Sequence, residues 1–285
     1  MHRADRSATT RKAFSSFPAL RRVPRLVRMF DEIGTLGARV LTYLRHPHRM
    51  RSVIVLKPWR LAYVRVPKAA NSSIKQALHH LMTAGEVTDP AFAAYPSVPN
   101  INRDRFWRRE FGARAEMTTC GRFLRVYPGF TSFTVVRNPF ARVVSAYYDK
   151  IIARDELPGA MRRTGYSKTM SFRAFVERTA VVGDDLIDIH LCSQSRILSE
   201  KGRLVPDLVG RVETLDADWT AIRTAIAARG GPRLGALANT LVKTSGLRPP
   251  VAALYAADPG LADLVLARYR ADFELFYPDR AMPAD

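Results

Sequence analysis

Residues 61–80 read Leu61-Ala-Tyr-Val-Arg-Val-Pro67-Lys68-Ala-Ala-Asn71-Ser-Ser73-Ile-Lys-Gln76-Ala-Leu-His79-His80. Leu61 to Val66 are mostly apolar or aromatic, as in a short central strand, and Pro67 bounds them. Ile74, Leu78 and Leu81 then recur at helical spacing. Ser73 followed by Gln76 has the form of a capping box, which predicts a helix starting at Ser73 with Asn71 and Ser72 just outside it. Unpaired amides, the positive end of a helix dipole and the Lys68 ammonium would then converge as a cradle for an anion such as phosphate. The same segment also fits an ordinary strand-turn-helix with a solvated lysine.

A second segment repeats the logic: Phe133-Thr-Val-Val-Arg137-Asn138-Pro139-Phe-Ala-Arg142-Val-Val-Ser145-Ala-Tyr-Tyr-Asp-Lys150. Asn138 suits an N-cap and Pro139 the first helical position, so Arg137 ends a strand and Ser145 lies about two turns into a helix. Arginine offers a planar fork matched to phosphate and serine a short donor. An arginine there also serves as a plain surface or ion-pair residue. Taken with the Lys68 turn, the pair suggests a ligand with two separated phosphates, and Arg142 is a secondary candidate.

Pro67-Lys68-Ala69-Ala70-Asn71-Ser72-Ser73 resembles the 5′-phosphosulfate loop, and Val136 to Tyr147 the 3′-phosphate segment, of carbohydrate sulfotransferases of the chondroitin, dermatan and HNK-1 type. The resemblance continues through Asp188-Ile-His190-Leu-Cys-Ser-Gln194, Val209-Gly-Arg-Val-Glu213 and Tyr269-Arg-Ala-Asp272-Phe273, covering about residues 53–278. It implies 3′-phosphoadenosine 5′-phosphosulfate (PAPS) as sulfate donor and a carbohydrate hydroxyl as acceptor. Lys68, Ala69, Ala70, Asn71, Ser72 and Ser73 would hold the 5′-phosphosulfate, and Arg137 and Ser145 the 3′-phosphate. No metal is implied. The chain departs from the family at His190-Leu-Cys-Ser-Gln194, where the animal enzymes carry His-Trp-x-Pro-Gln.

The 285 residues, 47% of them hydrophobic, are enough to bury a core. The expected architecture is α/β: a P-loop-like three-layer sandwich on a central, mainly parallel sheet over 52–285, with a basic helical arm over 1–51. That arm holds twelve Lys/Arg against three Asp/Glu, so nine of the nineteen net positive charges sit there. Such charge suits nucleic acid, anionic lipid or acidic polysaccharide alike. Leu26, Phe30, Ile33, Leu36, Val40, Leu41 and Leu44 predict an amphipathic helix over about 25–45, either packed on the domain or lying on an anionic membrane. Cys120 and Cys192, the only cysteines, form neither a disulfide framework nor a zinc spacing. No run spans a bilayer and no signal peptide is evident, so the expected location is cytoplasmic, with peripheral contact at the inner membrane face through 25–45. The animal relatives are typically Golgi-anchored by a membrane helix, and its absence suggests a bacterial enzyme acting before export.

Sulfuryl transfer requires a charge near the bridging oxygen, a task suited to Lys68, and a base for the acceptor hydroxyl. His190 is the leading base. Asp188, Asp184 and Asp185 nearby are expected to raise its proton affinity. His79, His80, Glu116 and Asp185 are alternatives, and the Asp184, Asp185, Asp188 and His190 group could imitate a metal site. Between the two phosphate segments, 85–130 reads as an insertion with a patch, Arg103 to Arg109, whose Trp107 either stacks on sugar or tucks inward. Helices are expected from Phe172 and over Leu215 to Ile226, a strand at Val209 to Val212, a loop over 230–250 and a last helix from Leu261 to Phe276. Two other functions fit parts of the pattern. A P-loop phosphotransferase would require Gly-x-x-x-x-Gly-Lys-Ser/Thr, which is missing, and a non-catalytic binder of acidic polymer would rest on charge alone. No nucleic acid partner is expected, for want of a recognition motif.

Overall fold

The computed structural model describes residues 52–103, 105–237 and 249–283. The arm over 1–51, with its expected helix over 25–45, lies outside the described residues, as does most of the expected 230–250 loop.

Val53–Leu56 (β1) and Leu61–Val64 (β2) form an antiparallel hairpin registered Val53 to Val64. A 3-10 turn, Lys57–Trp59, closes it, with Arg60 left-handed at φ 45°. Every residue of both strands is buried, so they read as continuous apolar runs rather than alternating ones. Ala115–Thr118 (β3) pairs antiparallel with β1. Thr131–Val136 (β4) pairs parallel with β2, aligning Leu61 with Thr131. Ser199–Glu200 (β5) and Arg203–Leu204 (β6) make a separate small hairpin. Leu208–Arg211 (β7) runs parallel to β4. The sheet order is β3-β1-β2-β4-β7, with β1 alone reversed. The sheet is therefore mainly parallel in direction, although two of its four ladders are antiparallel.

Helix α1 (Asn71–Ala84) follows β2. Helices α2 (Phe106–Phe111) and α3 (Cys120–Val126) flank β3. Helix α4 (Pro139–Tyr147) leaves β4 and continues into a π-helical turn, Tyr148–Ile152. Helices α5 (Gly159–Arg163), α6 (Phe172–Val181) and α7 (Gln194–Leu198) precede β5. Helix α8 (Leu215–Ala228) packs on β7, where a Cβ on Gly210 would lie 2.9 Å from Ile222 Cδ1. The close approach explains the glycine. Helix α9 (Val251–Ala256) comes next, and the single terminal helix expected over Leu261 to Phe276 is two, α10 (Pro259–Arg268) and α11 (Arg270–Phe276), broken at Tyr269. Among the described residues no helix is long and apolar enough to cross a membrane.

Adjacent parallel strands deliver their carboxyl ends to one sheet edge, so the loops after β2 and β4 emerge side by side. Fully buried Asp272 on α11 braces that edge from behind. Its carboxylate accepts the backbone N–H of Gln194 at 2.8 Å and of Ser195 at 2.7 Å, capping α7. Asp272→Ala leaves two buried donors without acceptors and is expected to cost about 3 kcal/mol, with Asp272→Asn near half that. Urea unfolding reads this as a lower midpoint at unchanged slope.

Candidate functional site

The chain leaves β2 through Arg65, Val66 and Pro67 and turns twice into the left-handed region, at Lys68 (φ 72°) and Ala70 (φ 50°). Ala69 N–H donates to the Val66 carbonyl at 3.3 Å, and Ile74 N–H to the Ala70 carbonyl at 3.1 Å, the first bond of α1. The helix thus begins at Asn71, not Ser73, and its N-cap is Ala70 without a side-chain cap. The capping box of Ser73 and Gln76 does not form, because the double turn brings the chain into helix two residues earlier. The first turn of α1 therefore follows directly on the left-handed Ala70, and the N–H groups of Asn71, Ser72 and Ser73 lie at its start. The insertion closes on this face through Asn102. Its Oδ1 accepts Lys75 Nζ at 3.2 Å and Asn71 Nδ2 at 3.4 Å, and its Nδ2 donates to Ser72 Oγ at 3.3 Å.

At the end of β4, the Gln194 amide grips both backbone groups of Arg137. Its Oε1 accepts the Arg137 N–H at 2.9 Å and its Nε2 donates to the Arg137 carbonyl at 2.7 Å. Asn138 caps α4 as expected, its Oδ1 accepting from Phe140 N–H at 3.0 Å, and Glu213 accepts the Asn138 N–H at 2.8 Å. So held, Arg137 places Nη1 3.4 Å from the Lys68 carbonyl. The structure brings those two residues together. Ser145, 7% exposed, lies in α4, and among the described residues its hydroxyl is hydrogen-bonded to neither. Arg142 is 2% exposed and donates to three carbonyls: Pro67 at 3.1 Å, Cys192 at 2.8 Å and Ile189 at 3.3 Å. It ties the Lys68 turn to the segment that carries His190.

His190 Nδ1 lies 2.6 Å from Asp188 Oδ1, which also accepts the His190 N–H at 3.0 Å. Burial pushes the Asp188 carboxyl up, but its bonds to His190 prevail and hold it at about 2. The expected rise in His190 proton affinity is overturned. Burial, with the charges of Lys150 and Lys68, outweighs Asp188 and lowers it below the ordinary 6.5. The imidazole is neutral at pH 7, with Nδ1–H directed at Asp188 and Nε2 left as the acceptor. Lys68 Nζ pairs with Asp149 Oδ2 at 3.0 Å, and Lys150 Nζ reaches the same oxygen at 2.9 Å. Burial opposes the Asp149 charge, yet the two lysines hold its carboxyl well below the carboxylate range.

Other candidates lie elsewhere. Trp107 is fully buried with Arg103, Arg105, Arg108 and Arg109 exposed, so it is core and stacks on no sugar. His79 packs on Phe106 and Phe111, and His80 on Phe92 and Tyr95, pinning the insertion to α1. Glu116 sits on β3, two strands from β2, pairing with Lys57 at 3.9 Å and Arg122 at 3.5 Å. Asp184 turns to Arg268 at 2.5 Å and Asp185 is exposed; among the described residues no three metal-ligating side chains converge. The sequence reading missed Asp149, Lys150 and the brace by Gln194. Asp149 was findable, since it follows Ser145 by four residues, the spacing of neighbours on a regular helix, although the structure places it in the π-helical turn beyond α4.

A family model described as Sulfotransferase family matches residues 51–278, which include both loops, the Asp188 and His190 pair and the Asp272 brace. Comparison with curated proteins and with solved structures gave no match. With most of its length matched, and with two cation-bearing turns joined at one sheet edge, the chain belongs to the sulfotransferase family and is an enzyme of sulfuryl transfer.

Proposed function

We propose that the protein transfers a sulfuryl group from PAPS to a hydroxyl of a carbohydrate acceptor. The observation that carries this reading is the meeting of Arg137 with the Lys68 turn beside a helix N-terminus that no side chain caps. That donor set fits a nucleotide bearing two separated phosphates: first-turn amides and an ammonium at one place, a guanidinium fork at the other. The carbohydrate acceptor is supported by the resemblance of both loops to carbohydrate sulfotransferases.

In this reading Lys68 and the amides from Ala69 to Ser73 hold the 5′ end of the donor, and Arg137 and Ser145 its 3′-phosphate. When bound, the donor supplies the sulfuryl group: its S–O bond to phosphate breaks with the electron pair passing to the bridging oxygen, as an acceptor oxygen bonds to sulfur. Lys68 stabilises negative charge at that end, and its left-handed backbone aims the side chain before any ligand arrives. His190 takes the acceptor proton on Nε2, since Asp188 occupies Nδ1. Arg142 keeps base and lysine in register through Pro67, Ile189 and Cys192.

Three experiments test this. In calorimetric titration, 3′-phosphoadenosine 5′-phosphate is expected to bind more tightly than ATP or adenosine 5′-phosphate, and Arg137→Ala to erase the preference. Lys68→Ala should slow sulfate release from PAPS, with water as acceptor, on the order of 100-fold at unchanged melting temperature. No 3′-phosphate preference in the wild type rejects the donor assignment. Because the folded His190 value lies below 6.5, the base form persists through neutral pH and is lost only as pH falls through that lower value. The kcat/KM for the donor is therefore expected to stay flat around neutrality with an acid limb centred below 6.5. His190→Gln removes the limb and about 100-fold in rate. An acid limb centred above 6.5 rules out the neutral base.

A further inference from the structure

We propose that Asp149 is a positioning residue of the transfer site, which aligns Lys68 and Lys150 on one carboxylate oxygen and yields Lys68 to the incoming anionic donor. The inference rests on the reading above, in which Lys68 meets the donor's phosphosulfate. Asp149 Oδ2 lies 3.0 Å from Lys68 Nζ and 2.9 Å from Lys150 Nζ, while Oδ1 faces Arg154 Nε at 3.3 Å. Lys150 is 1% exposed, so its ammonium is removed from water and its alignment depends on this carboxylate.

The turn that presents Asp149 is itself fixed. Residues Tyr148–Ile152 form a π-helical turn, an element that needs outside support to persist. Lys168 gives that support by donating to the carbonyls of Lys150, Ile151 and Arg154. Asp149 therefore does not follow Lys68 when a ligand draws the lysine away. After burial, both lysine charges also lower the proton affinity of His190.

Two ammonium groups converging on one anionic oxygen is the arrangement a phosphosulfate oxygen would demand, so the carboxylate prepares the geometry that the donor then takes over. It also competes, since a fixed negative charge beside Lys68 opposes an anionic ligand. Removing the charge must then act in opposite directions on binding and on turnover. A residue that merely supports the fold would weaken both.

The test uses the full chain, with 3′-phosphoadenosine 5′-phosphate as calorimetric probe and sulfate release from PAPS to water as turnover. Asp149→Asn is expected to tighten the probe about fivefold and to slow saturated sulfate release about tenfold or more. Weaker binding alongside slower release, or no change in either, overturns the proposal. Asp149→Glu keeps the charge but moves the oxygen, and it carries the test if the asparagine variant does not fold. Its probe affinity is expected to stay within about twofold of wild type while release falls about tenfold, and parallel losses refute the role. Wild-type binding of the probe is measured first. Its failure rejects the donor reading itself, whereas normal wild-type binding with unaltered variants rejects only the part assigned to Asp149.

Discussion

The primary amide of Gln194 closing on both backbone groups of Arg137 is the constraint from which the site is built. A strand end is where backbone groups lose their ladder partners, and a buried one must find others. Gln194 supplies both in one planar group, and Asp272 fixes Gln194 from the far side. Glu213 accepts the Asn138 N–H alone, and the Tyr277 hydroxyl donates to its other oxygen at 2.7 Å. The residues downstream of the two phosphate segments thus act as braces. Gln194, Asp272 and Glu213 each turn polar atoms toward backbone groups.

The interior of the site is rich in charge that a core would normally reject. Arg142 and Lys150 are almost wholly removed from water, and each is compensated differently. Arg142 spreads its donors over three carbonyls, a neutral solution that adds no anion of its own. Lys150 uses a carboxylate, which adds a formal negative charge where an anionic substrate is expected. Buried ions with such partners do little for stability but fix geometry closely. The contrast separates the two cations by purpose: one holds loops together, the other belongs to the reactive centre.

Where signals were local, the sequence was readable. Asn138 and Pro139 announce the start of α4 because a cap and a first-turn proline act within three residues. The start of α1 was misplaced because the left-handed turns at Lys68 and Ala70 carry no glycine or asparagine to advertise them. The reversed strand β1 and the edge strand β3 went unread, since four residues each give too short a pattern to show a period. The sign of the His190 shift depends first on burial and then on Lys150 and Lys68, none of which a local stretch of sequence displays. Trp107 in its arginine-rich stretch resembled a sugar platform, yet a six-residue helix with one inward face explains the same letters.

The two left-handed residues of the donor turn also carry a conformational cost. Holding Lys68 and Ala70 at positive φ costs roughly 1–2 kcal/mol each, and the fold bears this before any ligand is present. The left-handed backbone of this turn is thus set by the fold itself. A formal charge of +19 on the protein favours long-range attraction of anionic ligands. Such attraction weakens as ionic strength rises.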